Sequence, residues 1–438
     1  MRLNDAGHAA RSAPVPVVPS GGPTSRPGPR RADDRRVAVA SVVIAAGYLA
    51  AAAVAVALSE APGTTLVAWL PLHLALVGGA STAIAGVMPF FVAALAAGHP
   101  AGARVRWAAV ALVATGAGLV ALRGVVPAWT AAPVIGGAVY LAGIGVTALA
   151  LRGAGRAGLM VRRPIVTLAY TLALGNVAIG AALGTLMVAG WLPVLERWAL
   201  LRPAHAWTNL VGFVSLTVVG TLLHFLPTVL GTRIVPRPSA VVAVLGLAMG
   251  SPVVVAGLLL VSSPVVGLGA VLTLAGAGAL AIEAVLVARA RGRWTTDPGW
   301  HRLTGIALLA GAAWFVVGTG IAAVRLIVVG AAPDAWSTAH VGAPLVLGWV
   351  VQVLIASWSH LLPAIGPGGP LGHAARRVVL GRLATPRLVA LNLGTALAAV
   401  GWPAGVALLV AAGAALGAAA ILASVGLALV ALRSRVEG

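Results

Sequence analysis

The chain contains no cysteine and no lysine, so all 29 of its basic residues are arginine. Acidic residues number nine and tyrosines three in 438 residues. Without cysteine there are no disulfides, thiolate metal sites or redox thiols, and no iron–sulfur cluster or covalently attached c-type haem. Charged residues are 9% of the chain against 60% hydrophobic, and the mean hydropathy is +1.03, which excludes an ordinary soluble domain. A closed membrane barrel is excluded as well, because the apolar runs are long and continuous instead of alternating over about ten residues. What remains is an all-α, polytopic membrane protein.

Residues 1–36 are rich in Pro, Gly, Ser and Arg and show no apolar periodicity. They are expected to form a disordered basic tail, and a short tail is expected over 433–438. The pattern of a cleaved signal peptide is not expected in this stretch. Between the tails, the runs predict about twelve spans of about 20 apolar residues each. They lie near 37–58, 66–96, 105–122, 130–151, 164–190, 204–230, 238–262, 265–288, 304–326, 337–364, 385–402 and 404–432. If the N-terminus is cytoplasmic, all arginines except Arg123, Arg197, Arg202 and Arg325 fall on the cytoplasmic side. The positive-inside rule then places both termini in the cytoplasm and the protein in the cell (plasma) membrane. The net charge of +20 is therefore a topological signal. A nucleic-acid partner would need a soluble basic domain, and none is expected.

Two stretches nearly repeat. Residues 205–230 read HAWTNLVGFVSLTVVGTLLHFLPTVL and residues 340–365 read HVGAPLVLGWVVQVLIASWSHLLPAI. With Gly212 laid on Gly348, His224 falls on His360 and Pro227 on Pro363, while His205 and His340 agree to within one residue. Residues 71–91 follow the same frame less closely: Leu76-Val77-Gly78 matches Leu210-Val211-Gly212, Ser81 matches Ser215, and His73 lies near the same end. These are spans 2, 6 and 10, so the chain reads as three four-helix units, about 37–151, 164–288 and 304–432, within one domain. His73, His205 and His340 then lie at the outer ends of their helices, His224 and His360 toward the inner ends. A separation of about 28–30 Å along one helix prevents a single helix from clamping one metal with both of its histidines. Ionisable groups in membrane spans are costly and usually functional, and histidine is a common metal ligand.

A histidine early in span 2, followed by histidine-bearing spans 6 and 10 in a twelve-helix threefold frame, resembles subunit I of the haem–copper oxidases. The C-type branch is nearest in its local words, namely Pro71-Leu72-His73, Asn209-Leu210-Val211-Gly212-Phe213 with Phe225-Leu226-Pro227, and Gly348-Trp349-Val350 with Leu361-Leu362-Pro363. The chain also resembles NnrS-type haem and copper membrane proteins, which are linked to nitric oxide. The resemblance implies haem b held by His73 and His340, with His205 as a further cofactor-binding candidate. Copper or another metal is a further expectation at His205, and at His224 and His360, whose shared offset in the repeat is their signal and whose other reading is anchoring of the inner interface. Arg325 is the candidate contact for a haem propionate, with snorkelling to headgroups as its other reading.

The resemblance further implies an electron donor on the outer face, a cupredoxin or a cytochrome, and allows an oligomer. Where the family carries a second helix-10 histidine this chain has Ala343, span 238–262 has no histidine, and Tyr48, Tyr140 and Tyr170 all lie outside spans 6 and 7. The resemblance therefore points to electron transfer or to nitric oxide or oxygen handling, and not to full oxygen reduction. The catalytic residues are not assigned. If the chain is an enzyme, the resemblance makes it an oxidoreductase of the haem–copper oxidase or nitric oxide reductase type. Three neutral imidazoles could equally bind copper directly. A copper-handling or small-solute transporter and a non-catalytic subunit with vestigial histidines are the alternatives that residues alone leave open.

Overall fold

The computed structural model describes residues 29–59, 66–95, 99–156, 164–293, 296–332, 336–366 and 369–433. Most of the expected N-terminal tail, with His8, and almost all of the C-terminal tail lie outside them. Eleven helices are long and apolar enough to cross a membrane, and a bent pair makes twelve. In chain order they are α1 (Pro29–Ser59), α2 (Leu70–Leu95), α3 (Ala103–Leu122), α4 (Ala132–Arg156), α5 (Pro164–Val188) and α6 (Trp198–Leu230). There follow α7 (Pro238–Leu259), α8 (Ser263–Arg291), α9 (Gly299–Val329), α10 (Thr338–Ile365), α11 (Gly369–Leu380 with Ala384–Ala404) and α12 (Ala407–Arg433). In hydrocarbon every backbone donor and acceptor must be satisfied within its segment, which is why long Ala/Val/Leu/Gly runs become helices here.

The three histidine-bearing helices form the centre. In α2, α6 and α10, 67%, 78% and 78% of the most apolar window is buried, against 50% or less in each of the other unbroken spans. Each contains a π-helical segment just after its histidine: Leu74–Ala80, Thr208–Ser215 and Ala343–Val351. The segments close with equivalent wide-turn bonds, Ser81 N–H to the Leu76 carbonyl, Leu216 to Val211 and Gln352 to Leu347. They also touch one another pairwise around the pseudo-threefold axis, and the Trp349 indole N–H donates to Ser215 Oγ across it at 3.1 Å.

Around this centre the closest neighbours are α3 with α4, α7 with α8, and α11 with α12, the same pair in each unit. Glycines set that closeness. A β-carbon on Gly116 would lie 2.5 Å from the Tyr140 backbone nitrogen, one on Gly257 2.5 Å from that of Val266, and one on Gly401 2.9 Å from that of Val410. Lipid-facing helices have no hydrophobic drive to associate, so small residues that let backbones approach supply the packing. The threefold 3 × 4 arrangement read from the repeat is thus repeated in the helix contacts.

The end opposite His73 is pinned by arginines where the third helix of each unit begins. Arg106 is buried, pairs with Asp34, donates to the Ala101 carbonyl at 2.7 Å and lies over the Phe90 ring. Arg237 pairs with Glu283 at 3.0 Å. Buried Arg387 donates to the Leu380 and Arg382 carbonyls at the break in α11, where Leu383 has φ +52° and the two halves meet at 49°.

Candidate functional site

The structure brings His73 and His205 together. Their imidazoles lie 6.3 Å apart between ring centroids, with the planes 14° from parallel. His73 Nδ1 is 3.0 Å from the Trp69 carbonyl, one turn back on its own chain, and the Trp69 indole meets the ring edge-on at 4.7 Å. His205 Nδ1 is 2.8 Å from the Gly180 carbonyl of α5. A carbonyl can only accept, so in each ring Nδ1 carries the proton and Nε2 keeps its lone pair. Neither Nε2 has a hydrogen-bond partner among the described residues. Asn209 Nδ2 lies 3.3 Å from His205 Nδ1 but donates to the His205 carbonyl at 2.8 Å, packing the amide against the ring.

The helices leave room for this arrangement by design of the sequence. Gly180 and Gly184 lie one turn apart on α5, under Asn209 and His205. A β-carbon on Gly184 would stand 2.7 Å from His205 Cε1, so only glycine lets the imidazole lie flat against α5.

Both rings face a cavity of about 280 Å³ bounded by α2, α3, α4, α5, α6 and the start of α10. Its walls are mostly apolar, with Thr185, Asn209 and Thr338 as small polar groups and the guanidinium groups of Arg123 and Arg202 also lining it. No acidic residue lines it among the described residues. Tyr140, also in the wall, donates to Ser81 Oγ at 2.8 Å.

The remaining sequence candidates lie elsewhere. His340 is half-buried in the first turn of α10 and shares a 2.7 Å hydrogen bond with Ser337 Oγ; it is not on the cavity wall. His224 and His360 are at the opposite end of the bundle, where His360 meets Phe225 edge-on at 5.5 Å and lies 6.5 Å from the Trp300 ring. No group of three His, Cys, Asp or Glu residues able to hold a metal ion occurs among the described residues. Arg325 lies on α9, away from the cavity lining. His301 sits in the first turn of α9, 2.8 Å from Asp297 and 2.7 Å from the Val229 carbonyl.

Sequence reasoning missed Arg123, Arg202 and the positioning role of Asn209. A signal existed: Arg123 and Arg202 are two of the four arginines on the sparsely charged side, and Arg202 lies one turn before His205.

No protein-family model matches the chain, and no curated protein matches it. Thirteen solved chains do. One is a heme-copper terminal oxidase dimer determined by cryo-EM and described with regard to its catalytic mechanism. The match covers 92% of this chain and 84% of that chain at a TM-score of 0.66 and 14% sequence identity. The resemblance to haem–copper oxidase subunit I therefore holds at the level of the fold.

Proposed function

On this oxidase-like fold, we propose that the protein is a b-type haem protein of the membrane, in which His73 and His205 would hold the haem, working in electron transfer. The single observation that carries the reading is the pair of near-parallel imidazoles 6.3 Å apart, each with Nδ1 tied to a backbone carbonyl and Nε2 left for a ligand. A carbonyl on Nδ1 fixes the tautomer and raises the basicity of the other ring nitrogen. One ion between two imidazoles requires ring centroids roughly 6 Å apart, given bonds of about 2.0–2.1 Å, and the rings stand at 6.3 Å.

The donor set favours haem over a bare ion. Copper and zinc sites take three or four protein ligands, whereas a porphyrin brings its own four nitrogens and asks the protein for the axial ones. The cavity is at the lower end of the roughly 300–1,000 Å³ usual for ligand pockets, and its apolar walls suit a macrocycle.

When bound, the haem supplies one-electron redox chemistry. Held by both His73 and His205, it would be left without a free ligand position, which would favour electron transfer over binding of nitric oxide or oxygen. Trp69 and Asn209 keep the two rings in orientation, and the apolar wall keeps water away from them. An electron donor, a cupredoxin or a cytochrome, would meet the end of the bundle that carries His73, and the positive-inside rule makes that end the outer face.

The test is a reduced-minus-oxidised visible spectrum of the detergent-purified full chain with a pyridine haemochrome assay. A split α band with about one haem per chain, lost in His73→Ala and in His205→Ala, is the expected result. A protein that stays colourless although haem was supplied during expression overturns the reading.

A further inference from the structure

We propose that Arg123 and Arg202, with the Trp336 indole, form a carboxylate-binding edge of this cavity that holds the two propionates of the porphyrin. The inference rests on the haem reading above and adds the orientation of the ligand: the propionate edge points toward the end of α3 and the start of α6. Three observations carry it. First, the cavity is mostly apolar, and among the described residues the only ionisable side chains lining it besides His73, His205 and Tyr140 are the two arginines.

Second, neither guanidinium has a hydrogen bond or ion pair among the described residues, and no acid in the wall balances them. A half-buried cation such as Arg123 beside apolar walls calls for an anion, and guanidinium binds carboxylate through paired, charge-assisted hydrogen bonds. Third, Trp336 is 3% exposed and lines the same cavity, yet its Nε1 has no acceptor among the described residues. An indole N–H is a donor only, so what it lacks is an acceptor such as a carboxylate oxygen. Two cations and one orphaned donor lining a mostly apolar slot that also holds two imidazoles match a flat apolar ligand that carries two acids.

Arg325, the propionate contact expected from sequence, has no place in this edge. Arg123 closes the end of α3 and Arg202 lies one helical turn before His205, so both are fixed relative to the imidazole pair.

The test titrates the full-length, haem-depleted protein with haemin and, separately, with haemin dimethyl ester, whose propionates carry no charge, following the Soret band. The wild type is expected to bind haemin about ten- to hundredfold more tightly than the ester, the range that charge-assisted hydrogen bonds supply. Arg123→Gln with Arg202→Gln should remove most of that preference while leaving the affinity for the ester unchanged, and Arg→Lys at both positions should restore part of it. Arg202 is exposed, so R202Q alone reads the effect should the double variant not fold. Equal binding of haemin and ester by the wild type, or a preference that survives R123Q/R202Q, overturns the carboxylate edge and leaves the haem reading standing. A monodisperse, helical wild type that binds neither porphyrin overturns both.

Discussion

The bundle holds two cavities at the same end, and they differ in what they offer. The one beside His73 and His205 measures about 280 Å³; its neighbour, bounded by α1, α2, α10, α11 and α12, measures about 490 Å³. They share a wall made of Leu72, Thr338, Gly342 and Val346. The larger is lined by small and branched apolar residues, with Ser59, Thr338 and Trp402 as its polar atoms and no titratable group. It lies between α2 and α10, where the family resemblance places a haem held by His73 and His340. The threefold fold thus supplies slots of similar kind, and volume alone does not decide which becomes a site. The two slots differ in their donors: an imidazole pair, its carbonyl anchors and two arginines line the smaller one.

Ligand deletion should separate the two cavities most sharply. His205→Ala or His73→Ala is expected to abolish haem content while His340→Ala leaves it near wild type, read by pyridine haemochrome per mole of protein. Loss of haem in His340→Ala with retention in His205→Ala would reverse the assignment and move the site to the larger slot. Next in size is Gly184→Val. Its β-carbon must displace the His205 ring, so haem affinity should fall by about tenfold or more, a cost of about 1.4 kcal/mol, while α6 still packs. A titration equal to wild type would mean that the ring does not need α5.

A smaller effect is expected on stability. Gly116→Val and Gly401→Val wedge apart the equivalent helix pairs beside the two cavities, each costing about 1–3 kcal/mol by overpacking. Detergent thermal unfolding should show a lower midpoint for both, with haem content reduced only in the Gly116 variant. The smallest effect is expected from Ala414→Leu, which adds apolar volume inside the larger slot. It should leave haem content unchanged and shift the unfolding midpoint little or upward; a loss of haem there would show that the larger slot takes part.

Much of this was legible in the sequence. The apolar runs located the spans, and the frame that lays Gly212 on Gly348 identified the three central helices and their order. His73 and His205 were both singled out as cofactor ligands. Their pairing was not legible, for a reason of helical phase. In the repeat frame the equivalent of His205 is Val341, which is fully buried and lines the cavity, and His340 stands one residue earlier. One residue is about 100° of rotation, enough to carry His340 off the wall and onto Ser337. The broken α11 was hidden too: its first half, Gly369–Leu380, is amphipathic and carries Arg376 and Arg377, so it did not read as part of a span. Arg123 and Arg202 were read as loop charges, because charge counting records which side an arginine is on and not which cavity it enters.

The three π-helical segments act as rotational spacers. Each inserts a wide turn between the histidine end of its helix and the rest, so the azimuth of one half is decoupled from that of the other. Deleting a single residue from Thr208–Ser215 would restore an ordinary α-helical phase and swing His205 by about 100° relative to the lower half of α6, away from α5 and out of reach of His73. Insertions and deletions at these segments therefore dial an imidazole from one slot to the next without disturbing the glycine-packed scaffold around it. A threefold bundle with such spacers can move an imidazole between slots by indels, a route that point substitution does not offer.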